Sequence, residues 1–192
     1  MLLLKKIIAE GMVRECYFHP EDEQRCVKVV KDKREIRSLQ RELQIYNKVK
    51  DGLAPFICHY DGQLVETDKG PGLVMELVRD DDGQVSKKLS AFLERQSIDE
   101  GVEKQLDIFF KKLLDERWYF TDFNLDNFLI VRRKEQLIVK YIDLKSYRST
   151  KSFIRLEVFL PFLWRSKTIR RMRRLYQRLG LCPYLLKKGI SL

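Results

Sequence analysis

Short apolar runs rich in β-branched residues open the chain, at about 3–9, 13–18 and 25–31, and turn-forming residues separate them: Gly11 after the first, His19 to Gln24 (HPEDEQ) after the second. Runs of this length with such punctuation predict three antiparallel strands. In the next stretch, KREIRSLQRELQIYNKVK, residues Ile36, Leu39, Leu43 and Tyr46 recur at spacings of three and four. That spacing predicts an amphipathic helix. Glu42 lies one turn from both Leu39 and Tyr46 and therefore borders the buried face. Residues 56–66 and 72–78 read as two more strands around the turn-rich TDKGPG, completing a sheet of about five strands with one helix packed on it. The polar RDDDG then stops the sheet, and the helical pattern SKKLSAFLERQ follows.

From Val102 to Trp118 the apolar set Val102, Leu106, Phe109, Phe110, Leu113, Leu114 and Trp118 keeps helical spacing. Two apolar runs, 128–131 and 137–142, flank the polar block Arg132–Glu135, the pattern of a hairpin. A last amphipathic pattern places Ile169, Met172, Leu175, Tyr176 and Leu179 on one face and basic residues on the other.

Composition adds an asymmetry to this outline. The 192 residues suffice for one ordinary domain or two small lobes, and a hydrophobic content of 44% supports a real core. The net charge of +10 is concentrated at one end: from Lys145 onward thirteen Lys or Arg face the single acid Glu157. The four cysteines, Cys16, Cys26, Cys58 and Cys182, form no CxxC and read as reduced thiols. A zinc site drawn from Cys16, His19, Cys26 and Cys58 or His59 matches no zinc spacing. The opening MLLLKK is too short an apolar run for a signal peptide, and no stretch reaches the ~20 apolar residues of a spanning helix. The expectation is a cytoplasmic protein, soluble or held peripherally at the inner membrane.

The candidate chemistry centres on Tyr119–Asp143, YFTDFNLDNFLIVRRKEQLIVKYID. A hairpin returns its far end to its start, so Asp143 is carried next to Asn127, five positions beyond Asp122. Asp and Asn are favoured in turns for local hydrogen-bonding reasons, which is the ordinary explanation. Carboxylate and amide oxygens brought together are also what Mg²⁺ takes while keeping room for phosphate oxygens. Lys28, inside the β-branched CVKVV, reads on its own as a solvent-facing strand lysine.

The order of glycine turn, strand Lys, helical Glu, RDDDG break and then Asp122, Asn127 and Asp143 resembles the protein-kinase-like fold over roughly residues 5–147. More narrowly, RECYFHPEDEQRCVKVV, RELQIY, YDGQLVETDKGPGLVMELVRDDDGQVSKKL and FTDFNLDNFLIV resemble the bacterial YrbL family, a PhoP-regulated group of short kinase-like proteins. The resemblance implies an α+β bilobal fold: an N-lobe over 1–78 with the five-stranded sheet and one helix, and a reduced, mainly helical C-lobe over 79–192. It further implies ATP and Mg²⁺, with Gly11 in the phosphate-covering loop and Lys28 on the phosphates. Glu42 holds Lys28, with Glu35 as the fallback partner. Glu76 to Val78 offer backbone groups to adenine, Asn127 and Asp143 bind metal, and Asp122 aligns or deprotonates a hydroxyl.

Departures from the kinase pattern are equally plain. Only Gly11 stands where kinases commonly have three glycines, Phe120 and Thr121 precede Asp122 in place of His and Arg, and Leu144 and Lys145 follow Asp143 in place of Phe and Gly. No APE motif follows, so a compact substrate is expected, with a protein acceptor the less favoured alternative. Two function classes remain: an ATP-dependent phosphotransferase acting on a small, saccharide or lipid-linked hydroxyl, and a pseudokinase that binds nucleotide or acts as a scaffold without turnover. For the basic residues 165–178 the readings are a solvated helix face, or a docking surface for anionic membrane lipid or a phosphorylated saccharide. Nucleic acid is the weaker partner because no recognition motif accompanies the charge.

Overall fold

Lys28 sits on the middle strand of a five-stranded antiparallel sheet formed by β1 (Ile7–Glu10), β2 (Arg14–Phe18), β3 (Arg25–Val30), β4 (Tyr60–Thr67) and β5 (Gly70–Glu76), in the order β1-β2-β3-β5-β4. This computed structural model describes residues 1–146 and 161–181, and the chain divides into two units, Met1–Val85 and Ser86–Leu192. In the first unit, side chains alternate between the two faces of the sheet. One face carries Tyr17, Val27, Val29 and Val74, covered by Leu4. The other carries Lys28 and packs against α1 (Ile36–Leu53), whose inward stripe is Leu39, Glu42, Ile45, Tyr46, Val49 and Leu53.

The first strand starts later than its apolar run suggests. Residues 2–4 instead cover the sheet: Leu2 N–H donates to Glu66 O at 2.8 Å, and Leu4 N–H donates to Asp68 Oδ1 at 2.8 Å. Leu4 is buried against the sheet and Leu2 partly so, while Leu3 between them stays 53% exposed. The expected break after Val78 also falls earlier than the division between units. The guanidinium of Arg79 bonds to Glu23 O, and Arg79 bridges Val85, so this turn stays with the sheet.

The second unit contains β6 (Lys87–Lys88), α2 (Leu89–Leu93), α3 (Glu100–Asp115), β7 (Phe128–Arg133), β8 (Gln136–Tyr141) and a C-terminal helix, α4 (Pro161–Arg178). The helix expected over SKKLSAFLERQ is shorter because Lys87 and Lys88 pair with Ile130 and Leu129, forming a three-stranded sheet in the order β6-β7-β8. Asp99 caps α3 by accepting from Val102 N–H at 2.8 Å. Helix α3 presents Phe109 and Phe110 to Phe123, Phe128 and Tyr141, with ring centroids between 4.8 and 6.5 Å apart. This aromatic cluster is the floor on which the loop 119–127 rests. Helix α4 buries Trp164, Ile169, Met172, Leu175 and Tyr176, and is tied down by Tyr176 OH to Asp107 Oδ1 (2.7 Å) and Thr168 Oγ1 to Phe120 O (3.2 Å). Cys16, Cys26 and Cys58 form no disulfide, while Cys182 lies outside the described residues. Among the described residues no helix is long and apolar enough to cross a membrane.

Candidate functional site

The first unit holds a buried ion cluster. The β2–β3 register pairs Cys16 with Lys28 and Arg14 with Val30, so Arg14 and Lys28 share the face that meets α1. Tyr60 joins them, because Tyr60 and Cys26 both pair with Met75. Glu42, with no exposed surface, reaches into this group from the middle of the α1 stripe. Its Oε1 accepts from Lys28 Nζ at 2.7 Å and from Tyr60 OH at 2.8 Å, and its Oε2 accepts from Arg14 Nη1. Arg14 is itself steadied by Ser38 Oγ at 3.0 Å.

Burial works against charge on Glu42, but Lys28 and Arg14, aided by the hydrogen bonds from Lys28 and Tyr60, overcome it and hold the carboxyl at about 2, below its ordinary 4.5. Glu42 is therefore an anion at every physiological pH. Glu35, the fallback partner, ends the short 3₁₀ turn Lys33–Glu35 as the N-cap residue of α1, makes no side-chain cap hydrogen bond and is exposed. The expected covering loop joins β1 to β2 through Gly11, whose N–H donates to Arg14 O at 2.8 Å. At the other end of the sheet, Glu76 N–H donates to His59 O (2.7 Å) and Leu77 N–H to Gln24 O (2.8 Å). Both of these donors are used within the fold.

The second unit holds the loop 119–127. Its hairpin is tighter than the polar block suggests: β7 and β8 pair through to Arg133 and Gln136, leaving Lys134 and Glu135 as the turn, with Lys134 at φ +50°. Because Phe128 pairs with Tyr141, Asn127 lies opposite Ile142, and Ile142 N–H donates to Asn127 O at 2.9 Å. Asp143 follows directly. The hairpin thus brings Asn127 and Asp143 to one end of the same ladder.

Asp122 is held to them through its main chain, its carbonyl accepting from Asn127 Nδ2 at 3.1 Å and from Tyr141 OH at 3.0 Å. Since the Asn127 amide nitrogen is the donor to Asp122, its Oδ1 is the atom left to face a cation. Asp143, 8% exposed, accepts from Lys145 N–H at 3.2 Å, and Lys145 Nζ stands 3.7 Å from Asp143 Oδ2. The Asp122 carboxylate accepts from Asn124 Nδ2 at 2.8 Å, and Asn124 Oδ1 in turn accepts from Arg178 Nη1 at 3.3 Å.

One carboxylate and one amide oxygen fit Mg²⁺, which binds through one or two protein oxygens and completes its shell with water and phosphate. Among the described residues no group of three or more His, Cys, Asp or Glu side chains could hold a metal, so an all-protein cage is not the arrangement here. Sequence reading missed Arg14, Tyr60, Asn124 and Tyr141. Arg14 and Tyr60 become visible only once the strand register is known, because period-two alternation then puts them on the face of Lys28.

An antiparallel five-stranded sheet with one inward helical Glu bonded to a strand Lys, and a separate unit with an Asp–Asn loop leading through a hairpin to a second Asp, define the protein-kinase-like fold. The crystal structure of the PF14_0431 kinase domain is similar at a TM-score of 0.57 and 18% identity, over 83% of this chain and 57% of that one. The family described as PhoP regulatory network protein YrbL matches residues 1–180, and the chain belongs to it. The protein YrbL of Escherichia coli (strain K12) and that of Shigella flexneri are each 37% identical over 101 residues, 50% of this chain. The matched stretch is 47% of those relatives, so the chain spans about half the length of the curated relatives it matches.

Proposed function

We propose that the chain is an ATP- and Mg²⁺-dependent phosphotransferase acting on the hydroxyl of a small, saccharide or lipid-linked acceptor. The observation that carries this reading is the buried Lys28–Glu42 pair at 2.7 Å. A fully buried carboxylate is costly to keep for packing alone, and a strand lysine held by a helical glutamate is what positions a cation for the α and β phosphates. Asn127 Oδ1 and the Asp143 carboxylate would hold Mg²⁺, whose charge when bound offsets that of the phosphate oxygens. Asp122 would orient the attacking hydroxyl and take its proton as the hydroxyl oxygen bonds to the γ-phosphorus and the β–γ bridging oxygen departs with ADP. Val78 N–H and Glu76 C=O meet the adenine edge.

The second reading, a nucleotide-binding pseudokinase, has one observation in its favour. Lys145 Nζ lies 3.7 Å from Asp143 Oδ2, where its positive charge competes with a metal for the same oxygen.

Thermal shift with ATP, with and without Mg²⁺, tests nucleotide binding. Ligand at a hundredfold excess over Kd stabilises by about 2.7 kcal/mol, a rise of roughly 5–10 °C for a chain of this size. The rise is expected to need Mg²⁺ and to vanish in Lys28→Ala and Asp143→Ala. No shift under any condition removes the nucleotide site. Given binding, ATP consumption that is lost in Asp122→Asn marks an enzyme; binding without consumption marks the pseudokinase.

A further inference from the structure

Helix α4 carries Arg165, Lys167, Arg170, Arg171, Arg173, Arg174 and Arg178 and not one acid. At 100° per residue, Leu163, Lys167, Arg170, Arg171, Arg174 and Arg178 fall within an arc of about 100°, along roughly 23 Å of helix. Arg170, Arg171, Arg174 and Arg178 are exposed, Leu163 is 41% exposed, and Lys167 lies over the Trp164 ring at 5.0 Å. The opposite face is fastened to the second unit by Tyr176, Thr168 and the apolar stripe, so the orientation of the cations is fixed. Arg178, at the far end of the row, donates to Asn124, which donates to the Asp122 carboxylate.

We propose that this face docks on an anionic phospholipid bilayer and, in doing so, lays the Asp122 loop at the bilayer surface. Four features select a bilayer over other anions. The cations run along a line on the outer side of a helix, which suits a plane of charge, whereas a small phosphate is held by groups converging on a point. Leu163 stands exposed within the cationic arc, as in helices that lie on a membrane with an apolar residue entering the headgroup boundary. Trp164 and Tyr176 are buried, so neither offers the stacking platform that single-stranded nucleic acid uses. And the row ends on the loop that carries Asp122. Docking does not depend on the phosphotransfer reading; only its consequence does, namely that the acceptor hydroxyl belongs to a lipid or lipid-linked headgroup.

The test is cosedimentation of the full chain with vesicles of phosphatidylcholine alone or with about 30 mol% phosphatidylglycerol, without nucleotide, paired with hydrogen exchange. Wild type is expected to bind only the anionic vesicles and to be released by salt. Each neutralised cation weakens binding about fivefold, so Arg170→Gln, Arg171→Gln and Arg174→Gln together weaken it on the order of a hundredfold. The corresponding triple Lys variant keeps binding, and its melting temperature and circular dichroism report folding independently of the Gln variant. Amide exchange over residues 121–127 slows with anionic vesicles and not with phosphatidylcholine. Equal binding to both vesicles, binding to neither, wild-type binding by the Gln variant, or tighter binding to a polyuridylate oligomer at equal phosphate concentration overturns the docking claim. Unchanged exchange at 121–127 overturns the orientation. A failed Mg²⁺-ATP shift with intact vesicle binding would remove the phosphotransfer reading and leave the docking face standing.

Discussion

Replacing Glu42 by Gln keeps the size of the side chain and removes one charge, and the structure sets what that charge contributes. The folded-state value of about 2 against an ordinary 4.5 means that the native fold favours the anion by roughly two and a half pH units, or about 3 kcal/mol at neutral pH. The sign follows from the direction of the shift. Between the two values the unfolded chain binds the proton and the folded chain does not, so the contribution is complete above about 4.5 and is lost as pH falls towards about 2. Glu42→Gln also leaves Lys28 and Arg14, whose side chains are 14% and 10% exposed, facing each other across a neutral amide. Losing one member of a buried charge group typically costs 3–5 kcal/mol, in line with the first figure.

Urea unfolding of wild type and variant, followed by circular dichroism from pH 2.5 to 7, measures the difference directly. Subtracting the two curves cancels the other carboxylates. The expected difference is about 3 kcal/mol at pH 7, shrinking steadily below pH 4.5. A difference under about 1 kcal/mol at pH 7, or one that stays flat into acid, would refute the argument that two cations outweigh burial at this position.

Three further substitutions and one control test the packing within each unit. A Cβ on Gly72 would stand 2.6 Å from Val27 Cγ1 and 3.0 Å from Thr67 Cγ2, so Gly72→Ala is expected to lower stability by about 1–3 kcal/mol in urea unfolding. Gly62→Ala, with nothing within 4 Å, is the control for adding a methyl to the same sheet. Asp99→Ala removes the cap on Val102 N–H and is expected to cost about 1 kcal/mol by the same measurement. Tyr141→Phe deletes the hydroxyl that donates to the Asp122 carbonyl, and should cost about 1 kcal/mol and speed amide exchange in residues 121–127.

Much of this architecture is written in local pattern. The spacing of Leu39, Glu42 and Tyr46 announces α1 and places Glu42 near its inner face, and the runs either side of Lys134 and Glu135 announce the hairpin that returns Asp143 to Asn127. What local pattern does not carry is lateral register. Arg14 reads as an ordinary charged residue at a strand start until β2 is laid beside β3, and Tyr60 as any strand aromatic until β4 is paired with β5. The β6 pairing of Lys87 and Lys88 was hidden for a related reason: two lysines ahead of an apolar run fit the first turn of a helix as well as an edge strand, and only their neighbour β7 decides between them. Asn124 was passed over because its role depends on Arg178, more than fifty residues along the chain.

The division of labour between the two oxygens of Glu42 has a mechanical meaning. A lysine that must turn towards an incoming anion would, if it were the sole counterion, abandon a naked charge in the protein interior each time it moved. Arg14 on Oε2 keeps a second cation against the carboxylate, so Lys28 on Oε1 is not its sole counterion. Were Lys28 to turn towards a phosphate, as the proposed function requires, Glu42 would still face one cation in the interior.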